Sequence, residues 1–106
     1  MGDCVFCKIA HKELSAEFVF DDVEVMVFPD IKPSAPIHLL VVTKKHIPSI
    51  MHLVDADKDL VARMIFVARD IAAQRNMRGY RLSYNVGREG GQLIDHLHLH
   101  LQGGWQ

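Results

Sequence analysis

The distribution of hydrophobic and polar residues divides the chain into short strands and one long helix. Runs of alternating or β-branched apolar residues are typical of strands. Proline and glycine separate these runs at IKPSAP, KKHIPS and REGGQ, which we predict to be loops. The acidic pair Asp21 and Asp22 is expected in the turn between the first two strands. The predicted strands lie in EFVFDD, VEVMVFPD, IHLLVVT, YRLSYNVG and HLHLHLQ.

Apolar residues recur every three to four positions from about Asp55 to Asn76, which predicts the long helix. Asp55 is a suitable N-cap, and Gly79 lies shortly past the end. A further short helix is predicted for CVFCKIA near the N-terminus. The stripe expected to face a sheet consists of Leu60, Val61, Met64, Ile65, Ala68, Ile71 and Ala72.

Strands, one long helix and strands again indicate an α+β fold. We predict a largely antiparallel sheet of about five strands with one long helix and a short N-terminal helix. The 106 residues are expected to form a single domain spanning 1–106.

Phe66 falls on the side of the predicted helix away from the apolar stripe, flanked by Ala62 and Ala73. A single exposed aromatic residue is tolerable in a globular protein. Its small neighbours also favour close packing against another helix. We therefore expect the chain to associate with itself through this face.

Composition excludes several functional classes. The net charge is -1, which gives no basic surface for nucleic acid or an anionic membrane. The longest apolar run, IHLLVV, is too short to cross a bilayer. The first ten residues lack the apolar core of a signal peptide, so we expect a cytoplasmic protein. In that compartment, two cysteines are more often thiols or metal ligands than a disulfide.

The segment HLHLHL near the end of the chain places three histidines on alternate residues. Because side chains alternate across a strand, His96, His98 and His100 share one face, and the leucines between them share the other. Three interpretations are open. The face could be merely solvated, it could bind a metal, or its imidazoles could act as nucleophile and acid–base groups near neutral pH.

A glycine-rich loop, GREGGQ, precedes this strand. Gly87, Gly90 and Gly91 allow a backbone to approach a ligand, and free N–H groups in such loops bind anions. Taken by itself, the loop could be a connection between strands that needs glycine only for its backbone dihedral angles. Beside three histidines, a phosphate cradle is the better hypothesis, although the loop matches neither the P-loop nor the dinucleotide-binding motif.

The two cysteines form the motif CVFC, whose spacing suits a zinc knuckle or a redox pair. A redox pair usually follows a strand, and no strand can precede Cys4 in this sequence. A four-coordinate zinc site needs two further ligands. The motif alone leaves both interpretations open.

HLHLHLQ resembles the His-φ-His-φ-His-φ-φ signature of the histidine triad (HIT) superfamily. The segments CVFCKI, FPDIKPSAPIHLLVVTKKHI, YRLSYNVGREGGQ and HLHLHLQGG extend the resemblance over essentially the whole chain, towards the Hint-like nucleoside phosphoramidases. The resemblance implies a HIT-like fold, a homodimer and hydrolysis of purine, AMP-like nucleoside 5′-phosphoramidates. Alternatives are a dinucleoside polyphosphate hydrolase of the same superfamily and a nucleotide-binding regulatory module with incidental turnover.

The resemblance also implies roles for individual residues. His98 would be the nucleophile that forms a nucleotidyl-histidine, His100 would bind a phosphate oxygen, and His38 would reach the same site. Asp30 would accept the ribose hydroxyls, with Ile31 beside it. The residues implied around the base are Phe6, Leu14 and Phe28, for which core packing is an equal alternative, and those near the phosphate are Asn85, Gly91 and Gln92.

Members of this family that carry the CxxC motif bind zinc through it. The resemblance therefore implies a closed structural zinc site in this chain and no cofactor for the chemistry. The implied ligands are Cys4, Cys7, His46 and His96. One position departs from the family: some relatives carry a hydroxyl residue after the glutamine, where this chain has Leu93. His11 and His52 match nothing in the family and are expected to be solvated.

Overall fold

The computed structural model describes residues 4–105, whose five strands form one antiparallel sheet in the order β1-β2-β3-β5-β4. The strands are β1 Phe20–Asp21, β2 Val25–Pro29, β3 Ile37–Thr43, β4 Tyr80–Ser83 and β5 His98–Gly103. The helices are α1 Val5–Ala10 and α2 Lys58–Gln74, with three short 3₁₀ turns at Ile50–His52, Asp55–Asp57 and Arg88–Gly90. The predicted α+β fold is confirmed.

Most of the predicted strands are longer than the observed ones. EFVFDD contributes only Phe20–Asp21 to the sheet, so Asp21 lies in a strand and not in the turn. Asp22 closes that turn, because its Oδ1 accepts hydrogen bonds from the backbone N–H of Glu24 at 2.9 Å and of Val25 at 2.8 Å. The last strand begins at His98, since the His96 N–H bonds back to the Ile94 carbonyl in a bend.

The long helix also begins later than predicted. Asp55 is not its N-cap, because residues 55–57 form a 3₁₀ turn and α2 starts at Lys58. Asp57 holds this entry: one carboxylate oxygen accepts from the Val54 N–H at 3.0 Å, and the other pairs with Lys45 at 2.8 Å. The buried carboxylate therefore ties the helix start to the segment that follows β3.

The two faces of the sheet have separate cores. On one face, α2 packs Met64, Val67, Ala68, Ile71 and Ala72 against the sheet. The predicted stripe was wrong at one margin, since Ile65 is 43% exposed whereas Val67, which the stripe omitted, is buried. The other face is covered by the N-terminal segment and contains Phe6, Ile9, Met26, Phe28, Leu40 and Val42. Neither helix of residues 4–105 has the length and hydrophobicity that a membrane span needs.

Candidate active site and metal site

Strand β5 lies inside the sheet, between β3 and β4, and this position organises the histidines. His98 pairs with Val42, and His100 pairs with Leu40 on one side and Ser83 on the other. The predicted division of the strand is confirmed, because its alternate residues Leu97, Leu99 and Leu101 all belong to the core beneath α2. The three histidines lie on the opposite face, where the N-terminal segment packs.

His98 is held by the backbone of the bend that precedes its strand. Its Nδ1 lies 2.6 Å from the carbonyl oxygen of His96. A carbonyl can only accept a hydrogen bond, so Nδ1 carries the proton and Nε2 keeps its lone pair. The ring of Phe6 packs edge-on at a centroid distance of 5.4 Å. Burial lowers the pKa of His98, which keeps the imidazole neutral and therefore nucleophilic at pH 7.

A chain of hydrogen bonds fixes the tautomer of His100. The backbone N–H of Ser34 donates to His38 Nδ1 at 3.0 Å, so His38 carries its proton on Nε2. His38 Nε2 lies 2.9 Å from His100 Nδ1 and donates to it, which leaves His100 with its N–H at Nε2. Burial, with smaller contributions from His98 and His38, lowers the pKa of His100 to about 4. His100 is thus a neutral hydrogen-bond donor at pH 7.

Beside these histidines, the end of β2 opens into a pocket of about 650 Å³. Phe28, Asp30 and Ile31 line it. Asp30 Oδ2 lies 3.5 Å from His38 Nε2, while Oδ1 accepts from the Lys32 N–H at 2.9 Å. The side chain of Ile31 is 93% exposed at the rim. The pocket combines an apolar wall with the carboxylates of Glu17 and Asp30.

The three apolar residues predicted around the base differ in burial. Phe6 and Phe28 are buried and pack edge-to-face at 5.5 Å, so both also belong to the core, the alternative that the sequence left open. Leu14 is 43% exposed and lies in the chain next to Ser15, which lines the pocket. Their contact with a base stays a prediction.

The polar residues of the glycine loop bond to the loop itself. Gln92 Oε1 accepts from the Gly87 N–H at 2.9 Å, and its Nε2 donates to the carbonyls of Pro48 and Ile94 at 2.7 and 2.9 Å. Asn85 Nδ2 donates to the Gly90 carbonyl at 2.9 Å. The structure therefore assigns Gln92 and Asn85 a role in holding the loop, and a direct contact with phosphate stays a prediction.

Two residues of this loop, Gly87 and Gly91, need to be glycine, because their φ angles of 72° and 86° lie in the left-handed region. A Cβ at Gly87 would approach Met51 Cε to 3.1 Å, and one at Gly91 would approach Asn85 Nδ2 to 3.4 Å. The predicted histidines outside the site, His11 and His52, are both exposed, as expected.

In front of β5, at His96, four side chains from three segments converge. Cys4 Sγ lies 3.2 Å from His96 Nδ1, and Cys7 Sγ lies 3.2 Å from His46 Nδ1 and 3.6 Å from His96 Nδ1. The two Nδ1 atoms are 3.1 Å apart, and all four ligand atoms lie within 4.8 Å of one another. A tetrahedral zinc site with ordinary bond lengths separates its ligand atoms by roughly 3.3–3.8 Å. The observed spacings are close to those of such a site.

The tautomer of His96 also suits a metal ligand. His96 Nε2 lies 2.7 Å from the carbonyl oxygen of Thr43, so Nε2 carries the proton and Nδ1 presents a lone pair to the thiols. Burial lowers the pKa of His96 to about 4. Burial and the adjacent Cys4 raise the pKa of the Cys7 thiol to about 11, so a cation that binds here must displace thiol protons.

Comparison with known proteins gives matches that cover almost the whole chain. The family described as "Scavenger mRNA decapping enzyme C-term binding" matches residues 3–104. Protein HitA of Neisseria gonorrhoeae is 39% identical over 97% of this chain and 97% of its own length. The chain belongs to the histidine triad (HIT) family.

Solved HIT structures share the fold described above. A HIT family hydrolase from Legionella pneumophila is 45% identical, with a TM-score of 0.94 over 98% of this chain and 95% of that one. A histidine triad protein from Clostridium difficile is 39% identical, with a TM-score of 0.95 over 100% of this chain and 94% of that one. The protein is accordingly a HIT family hydrolase, of a superfamily that acts on nucleotides.

Sequence analysis missed two residues that organise the HIT site. Ser34 fixes the tautomer of His38 through its backbone N–H, and its Oγ accepts from Gln102 Nε2 at 2.8 Å. No motif marks Ser34, because the group that acts is the main chain. Gln102 could have been found, since it follows the histidines with the same period of two and pairs with His38 across the sheet.

Proposed function

We propose that this HIT protein is a purine nucleoside 5′-phosphoramidase that acts through a nucleotidyl intermediate on His98. The observation that supports it best is the 2.6 Å bond from His98 Nδ1 to the His96 carbonyl, which leaves Nε2 as a neutral nucleophile. The pocket formed by Phe28 and Asp30 lies beside the histidines and suits an AMP-like nucleoside.

In the first step, the lone pair of His98 Nε2 forms a bond to the α-phosphorus, and the phosphorus–nitrogen bond breaks. The departing nitrogen keeps the bonding pair and takes a proton from water, so it leaves as an amine. In the second step, the oxygen of a water molecule bonds to phosphorus and gives up a proton to the hydroxide left by the first step. The bond to Nε2 breaks, and its electron pair returns to the ring. Overall, one phosphoramidate and one water give a nucleoside monophosphate and an amine.

His100 and His38 support both steps without forming bonds to phosphorus. His100 presents its Nε2–H as a donor to a non-bridging oxygen, where charge is greatest in the transition state. His38 holds that donor in place through the 2.9 Å hydrogen bond. Asp30 accepts the ribose hydroxyls and so positions the phosphorus over His98.

A dinucleoside polyphosphate hydrolase is the second candidate, and Leu93 is the observation that favours it. This residue is 84% exposed and offers no hydroxyl to a leaving group. An amine needs a proton to depart, whereas a nucleotide leaves as a stable anion at neutral pH. The two candidates use the same nucleophile and differ in the leaving group.

The decisive experiment is rapid quenching of the purified protein with adenosine 5′-phosphoramidate labelled at phosphorus. We expect a covalent adduct that is labile in acid and stable in base, which His98→Ala abolishes and His52→Ala retains. Rapid turnover with no adduct, together with near-normal activity of His98→Ala, would contradict the mechanism. A higher kcat/KM for diadenosine polyphosphates than for the phosphoramidate would favour the second candidate.

We further propose that Cys4, Cys7, His46 and His96 hold one structural zinc ion. The support is the set of 3.1–3.6 Å spacings and the Nδ1 lone pair that the Thr43 carbonyl fixes on His96. The ion would link the N-terminal helix to the bend that precedes β5. No step of the chemistry uses it.

We also propose that the chain forms a homodimer through the outer face of α2. Phe66 is 49% exposed and Ile65 43% exposed on this face, a larger apolar surface than the sequence alone indicated. Arg69 lies over the Phe66 ring at 4.6 Å. Sedimentation at micromolar concentration tests the proposal, and a monomer at high concentration would contradict it.

A further inference from the structure

A second pocket lies beside the histidines, on the side away from the nucleoside pocket. It has a volume of about 340 Å³. Its lining includes Arg81, Ser83 and Asn85 from the region of β4, together with His100 and Gln102 from β5. None of these residues lines the pocket at the end of β2.

The register of the sheet places the two pockets on a common line. Phe28 pairs with Leu40, Leu40 with His100, and His100 with Ser83, which forms one row from β2 to β4. In the next row, His38 pairs with Gln102, and Gln102 with Arg81. The β4 pocket therefore lies on the far side of His100 from the pocket at the end of β2.

The two pockets differ in charge. The nucleoside pocket contains the carboxylates of Glu17 and Asp30 and no basic side chain. The β4 pocket contains the guanidinium of Arg81 and no carboxylate. Within residues 4–105, Arg81 has no carboxylate at ion-pair distance, and its guanidinium carbon lies 5.1 Å from the centre of the Trp105 ring.

We propose that the β4 pocket is the leaving-group subsite, and that Arg81 selects leaving groups that carry an acidic group, either a carboxylate or a phosphate. The inference rests on the proposed function and specifies its substrate class. In-line displacement requires the departing nitrogen to lie across phosphorus from the attacking His98 Nε2. The rest of the leaving group, beyond that nitrogen, then reaches β4 along the pair that His100 forms with Ser83. Arg81 binds the acidic group and takes no part in the bonds that form and break.

The expected selectivity is modest because Arg81 is exposed. A hydrogen bond to a charged group, reduced by the solvent around the guanidinium, corresponds to about tenfold in kcat/KM. The indole of Trp105 restrains the guanidinium and so lowers the entropy lost on binding.

The test uses three adenosine 5′-phosphoramidates whose amines share a two-carbon chain but have different ends: β-alanine, its neutral amide, and 2-aminoethyl phosphate. We expect the wild type to favour both acidic compounds over the neutral one by about tenfold. Arg81→Gln should reduce that ratio to near one, and Arg81→Lys should retain part of it. Arg75→Gln, a change at an exposed arginine after α2, should leave the ratio as in the wild type.

Selectivity that is the same in wild type and Arg81→Gln would overturn the inference. A preference for only one of the two acids would identify which anion the subsite takes. Comparing each variant with the wild type cancels the different intrinsic reactivities of the three amines.

Binding separates this inference from the proposed function. His98→Asn keeps both pockets and cannot form the adduct, so dissociation constants of the same compounds can be measured by calorimetry. Tighter binding of the acidic compounds, lost on adding Arg81→Gln, supports the subsite even if the wild type hydrolyses none of them. Equal affinities for acidic and neutral compounds would overturn the subsite even if hydrolysis occurs.

Discussion

The segment 96–100 has a metal end at His96 and a catalytic end at His98 and His100, and the two ends show how one repeated residue takes two different chemistries. His96 and His98 are both buried, and each has one ring nitrogen bonded to a backbone carbonyl. In His96 the bonded atom is Nε2, so its Nδ1 lone pair faces Cys4 and Cys7. In His98 the bonded atom is Nδ1, so its lone pair is on Nε2.

The difference teaches that the backbone, through the tautomer it imposes, decides what each imidazole can do. A lone pair enclosed by two thiols suits a cation, whereas one beside an open pocket suits a phosphorus atom. Phe6 separates the two environments, with its ring 5.7 Å from that of His96 and 5.4 Å from that of His98. The predictions below test this division, starting with the largest expected effect.

Removal of the nucleophile should have the largest effect. We expect His98→Ala to lower kcat by at least about 10⁴-fold, because the variant lacks the lone pair that forms the bond to phosphorus. His98→Gly should recover part of the activity when imidazole is added to the assay, since a small ring can occupy the vacated space. Steady-state kinetics with and without imidazole measure both effects, and unchanged kcat in His98→Ala would remove the distinction between the two ends.

Loss of the neighbouring donor should cost less. His100→Ala removes one hydrogen bond to the charged oxygen and should lower kcat by about 10²–10³-fold, with little change in the affinity for AMP. Equilibrium binding of AMP provides the control. A loss of affinity as large as the loss of rate would mean that His100 binds ground state and transition state alike.

Changes at the Cys4, Cys7, His46 and His96 cluster should lower the stability of the protein and leave its kcat unchanged. If zinc binds there, Cys4→Ala or a strong chelator should lower Tm by roughly 10 °C while kcat per folded molecule stays near that of the wild type. His11→Ala, a change at an exposed histidine, serves as the control. Metal analysis that finds no zinc, with both thiols freely reactive and Tm insensitive to chelator, would contradict the site.

The outer face of α2 provides a test away from both ends. Phe66→Glu should weaken the dimer by introducing a charge into an apolar contact, a cost of about 1–3 kcal/mol. Analytical ultracentrifugation over a range of concentrations measures the shift. If the wild type is dimeric and the variant is equally so, the interface lies elsewhere on the molecule.

The smallest expected effect is a pH dependence of stability at the catalytic end. Burial lowers the pKa of folded His100 to about 4, against about 6.5 in an unfolded chain. Between these values the unfolded chain binds more protons, so the free energy of unfolding should decrease as pH falls from about 6.5 towards 4. Urea unfolding at several pH values should show a shallower decrease for His100→Asn, and identical slopes would mean that His100 does not contribute.

Much of this architecture could be predicted because it depends on local periodicity. The alternation in HLHLHL fixes which side chains share a face. This holds even though the hydrogen-bonded strand β5 begins only at His98. Periodicity alone did not give the edge of the apolar stripe on α2. Ile65 is exposed and Val67 is buried, and the position of the sheet decides which of the two it covers.

Contacts between main-chain atoms and distant side chains could not be predicted. The tautomers of His38 and His96 depend on the Ser34 N–H and the Thr43 carbonyl, and no residue type signals either group. The helix entry at Asp57 likewise depends on Lys45, which lies in the segment after β3. The zinc ion, the dimer and the contacts of Asn85 and Gln92 with phosphate stay predictions.

The bond from His98 to the His96 carbonyl also bears on how the site tolerates mutation. In a catalytic triad the group that orients the histidine is a side chain, so a single codon change can delete it. Here the orienting acceptor is a peptide oxygen, which every residue type at position 96 supplies. Genetic variation can displace this acceptor but cannot delete it. Only a change of the backbone itself, such as an ester in place of the peptide bond before Leu97, would weaken it directly.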